Sequence, residues 1–358
     1  MKKILIFPYH PDIELLISHK KEWKDIVISG ICSFREDHAI VHRLNQILGT
    51  SGEYRQLLRE CDAVLLLDNF RDYKTEKYRQ VIRDALAENK EVILVPRMAE
   101  ELKADVSDRR ISLLQHEYQK DRSRQILEGN IRYQRHTVET PVIAVAGMGK
   151  NCGKFECQIR MYKELCRQGY RTFWLTSNPL GIYFGGYTLP AYFFSNTTSF
   201  EECIIQLNYH LYDIAREEKP DVFLIGIPEG VAEFEAGETN HFGEYPLTVG
   251  TAVPVDAAVL CTYYMRTVRR RGAEELREYV RIRYHLPVCA LAVSDTAYEV
   301  VEGVNQVFYS FLEKDYAKKH FAETEENEVP VMPLWDEKKT EKGLREVIAR
   351  LEANIDAL

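Results

Sequence analysis

The 358-residue chain contains no Cys-x-x-Cys pair, although it holds eight cysteines: Cys32, Cys61, Cys152, Cys157, Cys166, Cys203, Cys261 and Cys289. Zinc and iron–sulfur sites need clustered thiolates, so that chemistry has little support, and reduced thiols in a cytoplasmic protein are expected. No apolar run approaches the roughly 20 residues of a bilayer-spanning helix. Met1-Lys2-Lys3 runs directly into Ile4-Leu5-Ile6-Phe7, too short a lead for a signal peptide, so neither export nor a membrane partner is expected. Positive charge is also in deficit. Against 55 acidic residues stand 47 Lys and Arg, for a net charge of −8, which argues against a broad electrostatic grip on nucleic acid. Guanine selectivity lacks its Asn-Lys-x-Asp signature. A dinucleotide site lacks G-x-G-x-x-G after the first strand-like run, where Pro8-Tyr9-His10-Pro11-Asp12 stands instead.

What is present belongs to a folded α/β chain. Apolar residues make up 45% and charged residues 28%, and the length allows two domains of ordinary size. Residues 3–7, 26–32, 63–67 and 92–96 are short, apolar and β-branched, whereas residues 75–89 carry Tyr78, Val81, Ile82, Ala85 and Leu86 at helical spacing. Such alternation predicts a parallel sheet with helices on both faces, a small Rossmann-like or flavodoxin-like unit over residues 1–128. Residues 109–129, with Ile111, Leu114, Tyr118 and Ile126, read as a long helix, and residues 129–140 as a linker. Loops after parallel strands face a common crevice, so Tyr9, His10, Asp12, Asp68 and Asn69 form either a small-molecule site or ordinary helix caps.

The second domain, residues 141–358, is built around Gly147-Met148-Gly149-Lys150-Asn151-Cys152-Gly153-Lys154. Before it runs the strand-like Pro141-Val142-Ile143-Ala144-Val145-Ala146. After it, residues 155–168 have helical periodicity and stop at Gly169. Strand, glycine loop ending in Gly-Lys, then helix is the arrangement of a phosphate-binding P-loop. Glycines let main-chain N–H groups curl around phosphate, the helix N-terminus adds about half a positive charge, and the lysine neutralises the outer phosphates. Two positions depart from the usual pattern. Met148 stands where a glycine is usual, and Phe155 replaces the Ser or Thr whose hydroxyl helps hold Mg²⁺.

Further along, residues 171–176 read as a strand followed by the turn-rich Ser177-Asn178-Pro179-Leu180-Gly181, either a surface loop or a second lip of the pocket. Ser199 and Glu202 make a capping box for a helix through Ala215. Residues 221–227 form the next strand, with Pro228-Glu229-Gly230 at its tip. Glu229 is either a turn carboxylate or the acidic group that positions Mg²⁺ or its water opposite the loop lysine. Residues 233–245 read as a mobile loop containing His241. Strands are expected at 257–261, 288–293 and, at the edge, 329–332, with a closing helix over 342–357. Tyr263, Tyr264, Arg266, Arg269, Arg270 and Arg271 form either an anion clamp or a solvated helix face. Asp295 could cap a helix or read a base. Cys152, at a helix start, is the kind of position where a thiol becomes reactive. The cofactor-binding set is therefore Gly147, Gly149, Lys150, Asn151, Cys152, Gly153, Lys154, Phe155, Asn178 and Gly181. Glu229 is the candidate catalytic and Mg²⁺-binding group.

The loop from Val145 to Phe155 is similar to that of a two-domain P-loop family that includes D-glutamate N-acetyltransferases of the DgcN type. Asn178-Pro179-Leu180-Gly181-Ile182 resembles its Gln-Thr-Gly-Ile turn, Pro228-Glu229-Gly230 its Glu-Gly motif, and residues 250–261 its Gly…Pro-Asp-Ala…Val-Leu-Cys segment. The family histidine after that segment is replaced by Thr262-Tyr263, so acetyl transfer is not carried over. The chain also resembles clostridial-type peptide maturation system proteins, which accompany radical-SAM maturases and small cysteine-rich precursor peptides. The resemblance implies a Rossmann-like unit followed by a P-loop unit. It also implies a role with a precursor peptide and a radical-SAM maturase as partners, and ATP or another nucleotide, or a CoA-like cofactor, on the loop. The alternatives are a small-molecule acyl or phosphoryl transferase and a non-catalytic phosphate-binding scaffold.

Overall fold

The computed structural model describes residues 1–19, 26–33, 38–50, 52–68, 75–118, 135–233, 238–301, 306–322 and 327–355. The chain divides into two compact units. One comprises Met1–His116 with Ile182–Gly185, the other Glu117–Gly181 with Gly186–Leu358.

The first unit carries a five-stranded sheet of β1 (Lys2–Phe7), β2 (Ile26–Ile31), β3 (Ala63–Leu66), β4 (Glu91–Leu94) and β5 (Ile111–Leu113), ordered β2-β1-β3-β4-β5. Every pairing is parallel, and this is the strand order of flavodoxin-like doubly wound sheets. The helices are α1 (Asp12–Ser18), α2 (His38–Leu48), α3 (Tyr54–Glu60), α4 (Thr75–Ala87) and α5 (Pro96–Leu102). In α4, Tyr78, Val81 and Ala85 are the buried stripe, as their spacing requires. Two expectations are corrected here. The strand expected over 92–96 stops at Leu94, because Pro96 starts α5 instead. The helix expected over 109–129 is not a helix at its start: Ile111–Leu113 pairs with Val92–Leu94 as the edge strand. Ile111 and Leu114 sit at a spacing that fits either element, and pairing with β4 decided between them. Residues 119–134 lie outside the described residues.

The second unit holds a seven-stranded sheet. Its strands are β6 (Val142–Gly147), β7 (Thr172–Thr176), β8 (Tyr187–Thr188), β9 (Val222–Gly226), β10 (Ala257–Thr262), β11 (Val288–Val293) and β14 (Val331–Pro333), in the order β14-β11-β10-β6-β9-β7-β8. All of its pairings are parallel, and near-continuous apolar strands such as Val-Ile-Ala-Val-Ala-Gly are fully buried. One face packs α6 (Lys154–Arg167) and α11 (Glu337–Ile355); α7 (Phe200–Glu217), α8 (Glu244–Ala252) and α9 (Arg270–Tyr284) pack together as well. The capping box at Ser199 is formed in full: its hydroxyl accepts from the Glu202 amide and the Glu202 carboxylate accepts from the Ser199 amide. From β6 the chain builds outward on one side through β7, β8 and β9, then crosses to build β10, β11 and β14 on the other. The carboxyl end of β6 is therefore the topological switch point, where open α/β sheets bind ligands.

Further departures from the sequence reading lie at this carboxyl edge. Glu244 and Tyr245 belong to α8, not to a loop over 233–245, of which 234–237 is outside the described residues. Asp295 caps no helix, because β12 (Thr296–Val301) follows it and pairs antiparallel with β13 (Gln306–Phe311). A short helix, α10 (Lys314–His320), comes next.

Candidate functional site

The segment Met148–Gly153 connects β6 to α6 through two left-handed residues, Asn151 (φ 56°) and Gly153 (φ 80°). Glycine suits the second position for a further reason: a Cβ there would lie 2.6 Å from Leu334 Cδ1 and 2.9 Å from Ser294 Cβ. At Gly147 a Cβ would overlap Cys152 Sγ and stand 2.9 Å from the Lys154 side chain. The loop thus folds back on its own strand end. It is anchored at both sides, with Met148 N–H donating to Cys261 O and Val231 N–H donating to Gly147 O, each at 2.9 Å. Tyr263, buried behind β10, donates its hydroxyl to Lys150 O at 2.6 Å.

Beyond those anchors the loop's donors are unused. Among the described residues, the main-chain N–H groups of Gly149, Lys150, Asn151, Cys152, Gly153 and Lys154 find no protein acceptor. Main-chain N–H groups away from water are almost always paired, and Gly149 and Cys152 are buried. Six successive unspent donors at the head of a 14-residue helix are the kind of donor array that suits an anion. Lys154 Nζ donates to the carbonyl oxygens of Gly149 and Glu229, across the mouth of the loop.

Glu229 lies at the tip of β9, the direct neighbour of β6, in a left-handed conformation (φ 54°). Its carboxylate Oε2 is 3.5 Å from Lys150 Nζ. At Gly230 a Cβ would overlap Met148 O, so the Glu229-Gly230 turn presses directly on the loop. Asn240 closes the same side. Its amide donates to Ala232 O at 2.6 Å and reaches Met148 O at 3.5 Å, while its Oδ1 is buried without a partner.

Asn178 and Gly181 serve the neighbouring turn. Asn178 Oδ1 accepts from the Leu180 amide at 3.0 Å, and Gly181 N–H donates to Asn178 O at 2.9 Å. A Cβ on Gly181 would meet Thr176 side-chain atoms at 2.6–2.7 Å. The turn is joined to α6 by Gln158, which sequence reading missed. Its Nε2 donates to Ser177 Oγ at 2.9 Å and its Oε1 accepts from Trp174 Nε1 at 3.2 Å. The signal was available, since a glutamine four residues after the loop lysine shares its helix face. Gly226 leaves room for that amide, because a Cβ there would overlap it.

Phe155 is only 5% exposed, one of the buried apolar side chains of the core. Cys152 is buried and its Sγ donates to Gly149 O at 3.1 Å. Cys261 is held well above the usual thiol range by burial and by Cys157 beside it. The arginines at 270 and 271 are a solvated face, ion-paired to Glu274 (2.6 Å) and Glu275 (2.8 Å) one turn on. Tyr263 instead packs under the β12–β13 hairpin, with ring centroids 4.7 Å from Tyr298 and 5.9 Å from Tyr309, and burial pushes its hydroxyl far above its ordinary pKa. Among the described residues no three His, Cys, Asp or Glu side chains converge as a metal-binding group, and no helix is long and apolar enough to cross a membrane.

In the first unit, the loop residues are engaged with one another. Tyr9 Oη donates to Glu14 at 2.7 Å, the Asp12 amide donates to His10 Nδ1 at 3.2 Å, and Asp68 lies 3.5 Å from Arg97. Asn69 lies outside the described residues.

No protein-family model and no curated protein matches the sequence. Among solved structures, a DUF1611 family protein from Anabaena variabilis is similar over 98% of this chain and 100% of its own, with a TM-score of 0.56 at 10% identity. That likeness is one of fold, and it spans both units. An ADP-bound nucleotide-binding protein from Archaeoglobus fulgidus overlaps 58% of this chain and 88% of its own (TM-score 0.27, 18% identity). Apo McdA from Cyanthece overlaps 58% and 99% (TM-score 0.34, 10% identity). Scores this low add no weight to the assignment.

Proposed function

We propose that the loop from Gly147 to Lys154 binds the phosphates of a nucleotide of the ATP class. The observation that carries this reading is the run of six unspent N–H donors from Gly149 to Lys154. They stand at a helix N-terminus with an ammonium group parked on two neutral carbonyls. An ammonium bound to carbonyl oxygens and a thiol sulfur exchanges them for phosphate oxygens with a gain in charge-assisted bonding. In this reading the loop amides orient the ligand and exclude water from its phosphates, Lys154 neutralises the outer phosphate, and Asn178 and Gly181 shape the adjoining wall. The motif resemblance extends the proposal to a nucleotide-dependent enzyme or accessory factor in maturation of a ribosomally made peptide.

Magnesium fits this site poorly. A benzyl side chain replaces the usual hydroxyl, and the Glu229 carboxylate is engaged with Lys150. No step is therefore assigned to a metal, and Phe155 favours a second reading in which nucleotide is held without turnover. A CoA-like ligand, with its diphosphate, would use the same amides. The test is thermal unfolding of the full chain with ATP, GTP and acetyl-CoA at millimolar concentration, compared with Lys154→Ala. ATP should raise the melting temperature of the parent and not of the variant. A flat response of the parent to all three ligands would end the phosphate reading. Phosphate release assayed with and without Mg²⁺ then separates turnover from holding.

A further inference from the structure

The loop has two ammonium groups, and a single residue engages both. Lys154 Nζ takes the main-chain carbonyl of Glu229, while Lys150 Nζ takes its carboxylate at 3.5 Å. The carboxylate is largely shielded (20% exposed) and Lys150 less so (39%). Glu229 reaches this position through a left-handed backbone that its own side chain disfavours, and it is fixed there by Gly230 lodged against Met148 O. A carboxylate held beside the cradle carries the same sign of charge and the same acceptor oxygens as a phosphate group.

We infer that Glu229 is the internal counter-ion of the loop, standing in for one phosphate, and that Lys150, which it occupies, is the group that favours a ligand with a second phosphate adjacent to the one on Lys154. One phosphate group replaces the carbonyl on Lys154, and a second must displace the carboxylate from Lys150. A lone phosphate can do only the first. This rests on the phosphate-binding reading above but gives Glu229 the opposite sign of effect from a metal-binding or catalytic carboxylate. Removing such a carboxylate weakens binding or turnover, whereas removing a competitor strengthens binding.

The experiment is calorimetric titration of the full chain with inorganic pyrophosphate and orthophosphate in EDTA, for the parent, Glu229→Gln, Lys150→Ala and the double variant. The parent should bind pyrophosphate in preference to orthophosphate. Glu229→Gln keeps the main-chain carbonyl and should tighten pyrophosphate binding about fivefold, the scale of one partly exposed ion pair. That gain should vanish in the Lys150→Ala background. Lys150→Ala alone should weaken pyrophosphate binding and spare orthophosphate, which keeps the inference testable should Glu229→Gln not fold. If the parent binds pyrophosphate and Glu229→Gln binds it equally or more weakly, the counter-ion role is overturned while the loop reading stands. A parent that binds neither anion overturns both.

Discussion

The two parallel sheets present the same kind of edge, yet among the described residues it is the second that carries a run of main-chain donors without acceptors. At the carboxyl end of the first sheet, Tyr9 is bonded to Glu14, His10 to Asp12 and Asp68 to Arg97. At the carboxyl end of the second, six consecutive amides lack acceptors and two lysines rest on one strained glutamate turn. Topology alone nominates both edges. The accounting of donors and acceptors separates them, because a folded chain rarely leaves main-chain donors unspent without a use for them.

Acid should expose the largest difference. His210, on α7 of the second unit, is partly buried with its Nε2 shielded and unpartnered, and burial lowers its pKa from 6.5 to about 4. Above pH 6.5 the ring is neutral folded and unfolded. Below it the unfolded chain takes a proton that the folded ring refuses until about pH 4, so stability falls as pH drops through that window. The loss should approach about 3 kcal/mol, read as an acid shift of the denaturation midpoint that His210→Phe abolishes. Next in size, Lys154→Met should remove the ligand-dependent gain in stability, about 2.7 kcal/mol at a hundredfold excess over Kd, and leave the ligand-free midpoint nearly unchanged. Gly230→Ala should cost about 2 kcal/mol, since its methyl must move the Met148 carbonyl, and should blunt the ATP response as well. Asp68→Asn in the first unit should cost under about 0.5 kcal/mol, because its partner is exposed. If it abolished the ATP response instead, the contrast between the two edges would be wrong.

Much of this was legible beforehand, for identifiable reasons. Buried parallel strands such as β6 and β9 are uninterrupted apolar runs, and α4, α6 and α7 carry periodic stripes with caps or glycine stops, so local pattern and tertiary structure agree. The loop was visible because glycines and a lysine at fixed spacing serve a local purpose. Three-residue β5 was not visible, since its identity lies in its pairing with β4. The β12–β13 hairpin was missed because Asp295 suggested a cap while Thr296–Val301 found its partner beyond residues 302–305. The engagement of both lysines by Glu229 was equally hidden. It depends on a backbone angle and on β6 and β9 meeting side by side, which brings together Lys154 and Glu229, 75 residues apart.

Gln158 has a mechanical consequence. One turn after Lys154, it fills the hollow left by Gly226 and grips Trp174 and Ser177. The lysine's helix, the tip of β7 and the tip of β9 therefore form a single stiff lever. In the phosphate-binding reading, a ligand that shifts the ammonium would strain the same amide that braces the Asn178–Gly181 turn. Shortening that one amide, as in Gln158→Ala, would cut the tie and leave the loop's helix and the β7 turn to move separately.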